Sequence, residues 1–297
     1  MNYRILLTIL IFFTCLSFFS QEKVQSNKNR LAYLDSVTQS YNALGKLDSL
    51  IFYNIEFKKL AIELDDTLSI GIALVNDLLK NVKENRMDDM IRSTHEILDT
   101  NMFHNYPKVK AEAYGILSGV YSSQVLFEGN VDSAIFYSKL LVKYSTLSKD
   151  SIGVLFGNTL IGRNYEKQGK IDSAFYYYNK CLSQVEKMPF EKNSDIFILY
   201  LQVSQFYFHH KSDTVKALDL LDEGLTFSER LLDTLQANDK RAIFSNNKDS
   251  ALYYRRSNYF KSKQLNSNAY EYIYIKDLGS TFLNYSEYDS AKLYLNK

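Results

Sequence analysis

The sequence predicts an all-α protein, built as a solenoid of about seven helical hairpins that follow an N-terminal signal peptide. Three observations lead to this fold class. A short phrase recurs at near-regular distance, apolar residues between its copies are spaced three to four apart as in helices, and only two prolines, Pro107 and Pro189, occur in 297 residues. A repeat array has no fixed size limit, because each repeat buries its apolar face only against its neighbours.

The first residues are typical of a secretory signal. Arg4 precedes an apolar stretch that extends from Ile5 to Phe19, and polar residues follow at once. A membrane-spanning helix needs about 20 apolar residues, so cleavage after Ser20 is favoured. An uncleaved leader that anchors the chain, and acylation of Cys15, are the alternatives. The predicted segments are a signal peptide at 1–20, a short linker at 21–28 and a repeat array at 29–297.

The repeated phrase is an aspartate, a serine and a small or apolar residue, followed by aromatic residues. Its clear copies are Asp48-Ser49-Leu50, Asp132-Ser133-Ala134, Asp172-Ser173-Ala174, Asp249-Ser250-Ala251 and Asp289-Ser290-Ala291. With the looser copies that end at Met90 and Ala217, successive third residues are 40, 44, 40, 43, 34 and 40 positions apart. The predicted repeats are 29–66, 67–105, 106–149, 150–190, 191–232, 233–264 and an incomplete 265–297.

The clearest repeat shows how one hairpin is made. Gly162 and Tyr165 lie on a first helix, called the A helix, and Gly169 is placed to end it in a left-handed conformation. Asp172 is predicted at the N-cap of the second, or B, helix. The B helix carries small and aromatic residues at helical spacing, namely Ala174, Tyr178 and Cys181. Gly162 and Ala174 are expected where the two helices approach closely, with the tyrosines beside them.

These residues resemble the tetratricopeptide repeat, whose A helix carries Leu-Gly and Tyr and whose B helix carries Ala, Phe and Ala. Gly162, Tyr165, Ala174, Tyr178 and Cys181 match that pattern in the fourth repeat. The last repeat matches it at Gly279, Phe282 and Ala291, and the first keeps the spacing of the turn glycine at Gly45. The resemblance covers about residues 29–297 and implies a right-handed superhelix.

The resemblance implies a protein-interaction scaffold rather than an enzyme. The leader and the long repeats are similar to the N-terminal sensory regions of bacterial envelope proteins that continue into a histidine kinase or a helix-turn-helix output domain. An exported, periplasmic or envelope-associated scaffold that binds a protein or peptide is therefore expected, with membrane anchoring through a missing C-terminal part or the leader. The alternatives are a stand-alone structural adaptor and, less favoured, a frame for an enzyme or a carbohydrate-binding function.

The concave face made by the A helices is the expected partner site. Its candidate binding residues are Phe156, Thr159, Arg163, Gln202 and Gln205. The lysines and asparagines with which some family members clamp a terminal carboxylate do not occur at these positions. The sequence therefore favours an extended or helical peptide along a groove lined by apolar and amide side chains.

Four motifs suggest chemistry, and a structural role is favoured for each. Gly157 to Arg163 approximates a phosphate-binding loop but lacks its lysine. The segment from His95 to Asp99 approximates a helical zinc motif without its second histidine, and His209-His210 has no spaced partner. The basic residues are Lys240, Arg241, Arg255, Arg256, Lys261 and Lys263. They are interpreted as a solvated face, with an anionic partner, a polysaccharide or membrane headgroups as the alternative. A net charge of +1 provides no basic footprint for nucleic acid. No cofactor or metal is expected.

Overall fold

The computed structural model describes residues 23–42, 46–84, 86–123, 130–187, 193–245, 247–265 and 267–296. Within these ranges every regular element is a helix, and consecutive helices pack in pairs. The predicted leader at 1–20 and the turn residue Gly45 lie outside the described residues. The chain divides into two compact units, Met1–Gly157 and Asn158–Lys297.

The first unit contains six helices and the start of a seventh among its described residues. They are α1 (23–42), α2 (Leu47–Glu63), α3 (Thr67–Lys83), α4 (Met87–Asp99), α5 (Pro107–Ser122), α6 (Val131–Leu147) and the first part of α7 (Ser151–Lys167). The described part of helix α1 starts at residue 23, so it includes most of the segment predicted as a linker. Leu34, Phe57, Ala73 and Val109 belong to one buried cluster that joins α1, α2, α3 and α5.

The second unit contains the rest of α7 and seven further helices. They are α8 (Ile171–Lys187), α9 (Ser194–Lys211), α10 (Thr214–Leu225), α11 (Leu231–Phe244), α12 (Lys248–Ser262), α13 (Asn268–Asn284) and α14 (Tyr288–Leu295). One buried cluster unites α9, α10 and α11 around Phe197 and Phe244. Another unites α11 to α14 around Leu235, Leu278 and Phe282. Each hairpin is thus stabilised by the next one along the chain.

Small residues mark the closest approaches between helices. A Cβ atom added to Gly162 on α7 would lie 2.8 Å from Cε1 of Tyr178 on α8. A Cβ atom added to Gly279 on α13 would lie 2.7 Å from Cδ2 of Leu295 on α14. Ala174 is fully buried. Since contacts under 3 Å are too short for carbon atoms, only glycine fits at these two positions without a shift of the partner side chain.

Several of the described turns between helices use a left-handed residue, and it need not be glycine. Gly169 has φ +71° after α7, and the amide of Lys170 then donates to the carbonyl of Tyr165 at 2.9 Å. Lys149 and Ser286 adopt the same left-handed φ of 59° after α6 and α13. Backbone hydrogen bonds of this Schellman type satisfy the last carbonyls of the helix, which compensates for the strain of a side chain there.

The recurring aspartate lies inside the B helix and not at its N-cap. Helix α8 begins at Ile171, so Asp172 is its second residue, and Asp48 and Asp132 occupy the same position in α2 and α6. A carboxylate in the first turn is stabilised by the positive end of the helix dipole, which explains why the position is acidic although Asp172 is not the cap.

Side-chain caps are found before several A helices and also before the B helices α10 and α12. Asp66 accepts from the amide of Ser69, and Asp150 from that of Gly153 at 2.9 Å. Asp233 lies within the first turn of α11, where its buried carboxylate accepts from the hydroxyl of Ser228.

Aromatic pairs connect the two helices of several hairpins. Tyr165 of α7 lies against Tyr177 of α8, with ring centroids 5.7 Å apart. The equivalent pairs Tyr41–Tyr53, Tyr121–Tyr137 and Phe282–Tyr294 stack at 5.4, 5.4 and 5.5 Å. Such ring contacts stabilise a pair of helices by about 1 kcal/mol beyond simple burial. They account for one aromatic residue after four of the five clear copies of the repeated phrase, namely Tyr53, Tyr137, Tyr177 and Tyr294.

Candidate functional site

The five residues predicted to bind a partner do not all lie on an accessible surface. Thr159 is only 4% exposed, and its hydroxyl donates to the Sγ atom of buried Cys181 at 3.7 Å. It therefore packs between α7 and α8 and is removed from the predicted set. Phe156, in the first unit, is half-buried. Arg163, Gln202 and Gln205 are half-buried in the second unit.

Arg163 is the most unusual of these residues. Its Nε atom is buried and has no hydrogen-bond partner among the residues that the structure describes. Burial lowers the pKa of its guanidinium group below the ordinary value. Burial also lowers the pKa of Lys167, one helical turn further on, and the positive charge of Arg163 lowers it further. The α7 surface thus holds two neighbouring cations in a partly desolvated environment.

The nearest acidic residue in sequence, Glu166, does not neutralise Arg163. One of its carboxylate oxygens accepts a hydrogen bond of 2.8 Å from the hydroxyl of Tyr178, and the other lies 3.0 Å from Nε2 of His210. Burial, followed by the charge of Glu166, raises the pKa of Tyr178. Glu166 therefore connects α7, α8 and α9. His210, for which no partner was predicted, has a carboxylate partner from the preceding hairpin.

The repeat register relates Arg163 to two further residues. Arg163 stands two positions before the A-helix residue Tyr165, Gln205 two before its counterpart Tyr207, and Lys240 two before Ala242. Burial lowers the pKa of Lys240 as well, and this lysine forms no ion pair with any described residue. We call Arg163, Gln205 and Lys240 the A-helix row. They occupy one position on the successive A helices α7, α9 and α11.

The sequence-based prediction missed Lys240 because it treated this lysine as part of a solvated basic group. Most other members of that group are neutralised: Arg241 pairs with Asp222, and Arg255 with Asp239. The Nζ atom of Lys263 lies 4.0 Å from Oε1 of Glu271. Lys240 differs from the other basic residues in its repeat position. It stands two residues before Ala242, which replaces the A-helix aromatic in this repeat, just as Arg163 stands two residues before Tyr165.

The two glutamines contribute amide groups beside these cations. Gln205 donates from Nε2 to the carbonyl of Leu201, one turn earlier on α9, at 3.2 Å. This bond holds its side chain along the helix. Gln202 precedes it by three residues and therefore lies on the same side of α9. The surface offers hydrogen-bond donors and positive charge, and a carboxylate matches both.

The motifs that suggested phosphate or metal chemistry have structural surroundings. The segment from Gly157 to Arg163 is helical, and a Cβ atom on Gly157 would lie 2.7 Å from Val142. The ring of His95 contacts that of Tyr137. No cluster of three potential ligands suited to a metal ion occurs among the described residues. Burial raises the pKa of the Cys181 thiol to about 11, so it stays protonated at neutral pH.

The first unit carries an acidic side chain, Glu112, that is half-buried, as Arg163 is in the second unit. Burial raises the pKa of Glu112, on α5, to about 7. The charge of Lys108, one turn earlier, opposes this rise, whereas Asp35 and Asp150 add to it.

A cavity of about 380 Å³ opens beside α1, where the side chains of Lys28, Asp35 and Asp66 line an apolar floor. Because the lining of this cavity contains both a positive and negative side chains, its charge does not favour one class of ligand.

Comparisons with known proteins add little to this geometry. No family model matches the chain, and no curated protein matches it either. A crystal structure of BtubC (BKLC) from P. vanneervenii aligns over 91% of this chain and 88% of its own, with 13% identity and a TM-score of 0.34. None of the helices that the structure describes combines the length and apolar character required to cross a bilayer.

Proposed function

We propose that the protein is a non-enzymatic interaction scaffold of the tetratricopeptide type, and that it binds an acidic peptide segment of a partner protein along the A-helix row. One observation supports this proposal above the others. Arg163 and Lys240 are half-buried cations at one repeat position, and neither forms an ion pair with a described residue. The amide of Gln205 lies at the position between them.

The physical argument concerns the desolvation of charge. A cation that is partly removed from water loses solvation energy, and an intramolecular carboxylate usually compensates for it. Here the nearby carboxylate of Glu166 is bound to Tyr178 and His210. A partner carboxylate at Arg163 can accept two parallel hydrogen bonds from the guanidinium group. Such bonds are stronger in a partly buried site than at an exposed one.

A peptide-binding measurement tests this proposal. The probe is a fluorescein-labelled peptide with three glutamates interleaved with leucines, and its matched control carries glutamines instead. We expect the glutamate peptide to bind more tightly to the wild-type chain. The double variant Arg163→Gln and Lys240→Gln should weaken that binding by about 30-fold, since each lost charge-assisted bond is worth about 1 kcal/mol.

The exposed Lys216 on α10 provides a control of equal charge change. Lys216→Gln should leave the affinity for the glutamate peptide unchanged. If the double variant binds the glutamate peptide as tightly as the wild type does, or if both peptides bind equally, the A-helix row is not the binding surface. Circular dichroism of each variant verifies that the helical fold is retained.

We further propose that this scaffold acts in the bacterial cell envelope, as the sensory or adaptor half of a signalling protein. The apolar leader from Ile5 to Phe19 supports export. Mass spectrometry of the protein from an expressing bacterium tests this step. A mature N-terminus at Gln21 is the expected result, and an intact Met1 in the cytoplasmic fraction would contradict export.

A further inference from the structure

The repeated phrase leaves an aromatic side chain exposed after most of its copies. Four of the five clear copies carry an aromatic residue two positions after the buried third residue of the phrase. Each of these rings is at least 58% exposed, and the fifth copy has the exposed Leu293 at this position. We call the four residues the B-helix rings; they are Phe52, Phe136, Tyr176 and Tyr253. A position that recurs as a ring while it faces water is not explained by the packing of the hairpins.

The next hairpins along the chain leave these rings open. Each B-helix ring lies on a helix that is followed by two or more further helices. On α8 the residue after the ring packs inside the hairpin instead, since Tyr177 lies against Tyr165 of α7. Tyr176 contacts Tyr177 edge to face, with centroids 5.3 Å apart. Of these two adjacent aromatics, one therefore stabilises the hairpin and the other offers its face to a ligand.

In the second unit, exposed charges of both signs flank the B-helix rings. Asp172 lies one turn before Tyr176 on α8, and Lys180 lies one turn after it. Both charged side chains are exposed, and Asp172 forms no ion pair with a residue that the structure describes. The same order of exposed carboxylate, ring and exposed cation recurs on α12, at Asp249, Tyr253 and Arg256.

These groups together favour an uncharged, polyhydroxylated ligand. Because each ring lies between a carboxylate and a cation, neither an anionic nor a cationic ligand gains from the net charge. The charged flanks also interrupt the apolar surface one turn away on either side, which a protein partner that needs a contiguous apolar patch would not favour. A pyranose has an apolar face of C–H groups and a rim of hydroxyls that both donate and accept. It therefore matches the ring and both of its flanks.

We propose that Tyr176 and Tyr253 bind an uncharged β-1,4-linked glycan. In β-linked glucose and N-acetylglucosamine every ring substituent is equatorial, so both faces of the sugar are apolar and can stack on a phenol ring. The flanking carboxylates accept hydrogen bonds from the sugar hydroxyls, and the flanking cations donate to them. This binding uses the B helices α8 and α12, and so it is separate from peptide binding by the A-helix row.

Sedimentation with insoluble polysaccharides tests this proposal on the whole chain. Microcrystalline cellulose and chitin are the probes, and cross-linked dextran, an α-1,6-linked glucan, is the control. We expect the chain to bind cellulose or chitin in preference to dextran, and soluble cellohexaose or chitohexaose to displace it. Tyr176→Ala and Tyr253→Ala should each weaken binding about fivefold, the size of one stacking contact, whereas tryptophan at either position should retain it.

Variants at other positions show whether the effect belongs to these rings. Tyr272→Ala removes a similarly exposed tyrosine from the A helix α13 and should leave binding unchanged. The double variant Arg163→Gln and Lys240→Gln should also bind polysaccharide as the wild type does, which separates this proposal from the peptide site.

Three results would overturn the proposal. One is that neither cellulose nor chitin retains the wild-type chain better than dextran does. Another is binding that survives the loss of both tyrosines. The third is a dimer, detected by light scattering, that the two tyrosine substitutions dissociate, because a second copy would then cover the rings.

Discussion

The two compact units hold charges of opposite sign at partly buried positions on their A helices. In the first unit, burial raises the pKa of Glu112 to about 7. In the second, burial lowers the pKa values of Arg163 and Lys240. Both units have the same helical hairpins, so the fold does not determine which ligand is attracted. In the proposed function a few A-helix positions select the ligand, at a cost in stability that substitutions can measure.

The largest expected effect concerns packing, and it compares a glycine of each unit. Gly162→Ala in the second unit would place a Cβ atom 2.8 Å from the ring of Tyr178, whose hydroxyl is held by Glu166. We expect the free energy of unfolding to fall by about 2–3 kcal/mol because the ring cannot move freely. Chemical denaturation followed by circular dichroism measures this change.

Gly119→Ala in the first unit is the matched control. No atom lies within 4 Å of a Cβ atom added to Gly119, which is also on an A helix. Alanine is the better helix former, so this variant should be stabilised by about 0.5–1 kcal/mol. An unfolding midpoint for Gly162→Ala that matches the wild type would show that α7 and α8 are not closely packed at this point.

The second effect is pH-dependent stability in the first unit. The folded pKa of Glu112, about 7, exceeds its ordinary value of 4.5. The group therefore contributes stability that is fully present below pH 4.5 and is lost as the pH rises through 7. Glu112→Gln lacks this titration, so relative to the wild type it should gain about 2–3 kcal/mol of stability between pH 4.5 and pH 8.

Unfolding midpoints at pH 4.5, 6, 7 and 8 measure this difference. Glu96→Gln, which removes an exposed glutamate from α4 of the same unit, is the control and should give a difference that does not change with pH. A constant offset between Glu112→Gln and the wild type across this range would mean that Glu112 is ionised in the folded protein at little cost.

Features of the fold that depend on short-range spacing were accessible from the sequence. The spacing of the helical hairpins and the small residues at Gly162 and Ala174 follow from side-chain size and helical period within one repeat. Asp172 was misplaced by two residues because N-caps and first turns are both enriched in aspartate. Thr159 was predicted to bind a partner because it shares a helical face with Arg163. Helix α8 covers part of that face, and Thr159 lies in the covered part.

Features that depend on contacts between hairpins were not accessible in the same way. The pairing of His210 with Glu166 joins residues 44 positions apart, and it depends on how α9 lies against α7. Lys240 was missed because its repeat is six residues shorter than most, and Ala242 replaces the aromatic that marks the register. The partial burial of Arg163 likewise results from neighbouring helices, and sequence spacing alone does not give it.

The smallest expected effect tests whether the second unit sacrifices stability for binding. Arg163→Met keeps an unbranched apolar side chain and removes a partly buried charge that lacks a carboxylate partner. We expect this variant to be more stable than the wild type by about 1 kcal/mol, since an apolar replacement needs no solvation. Arg92→Met, at an exposed arginine of the first unit that pairs with Asp89, should change stability by less than about 0.5 kcal/mol.

The same Arg163→Met protein should bind the glutamate peptide about fivefold more weakly, which is the loss of one charge-assisted interaction. A gain in stability together with a loss of affinity would identify Arg163 as a residue retained for recognition. Destabilisation by more than about 1 kcal/mol would instead indicate that the guanidinium group is compensated within the folded chain, and the opposite charges of the two units would then be a matter of packing and not of partner choice.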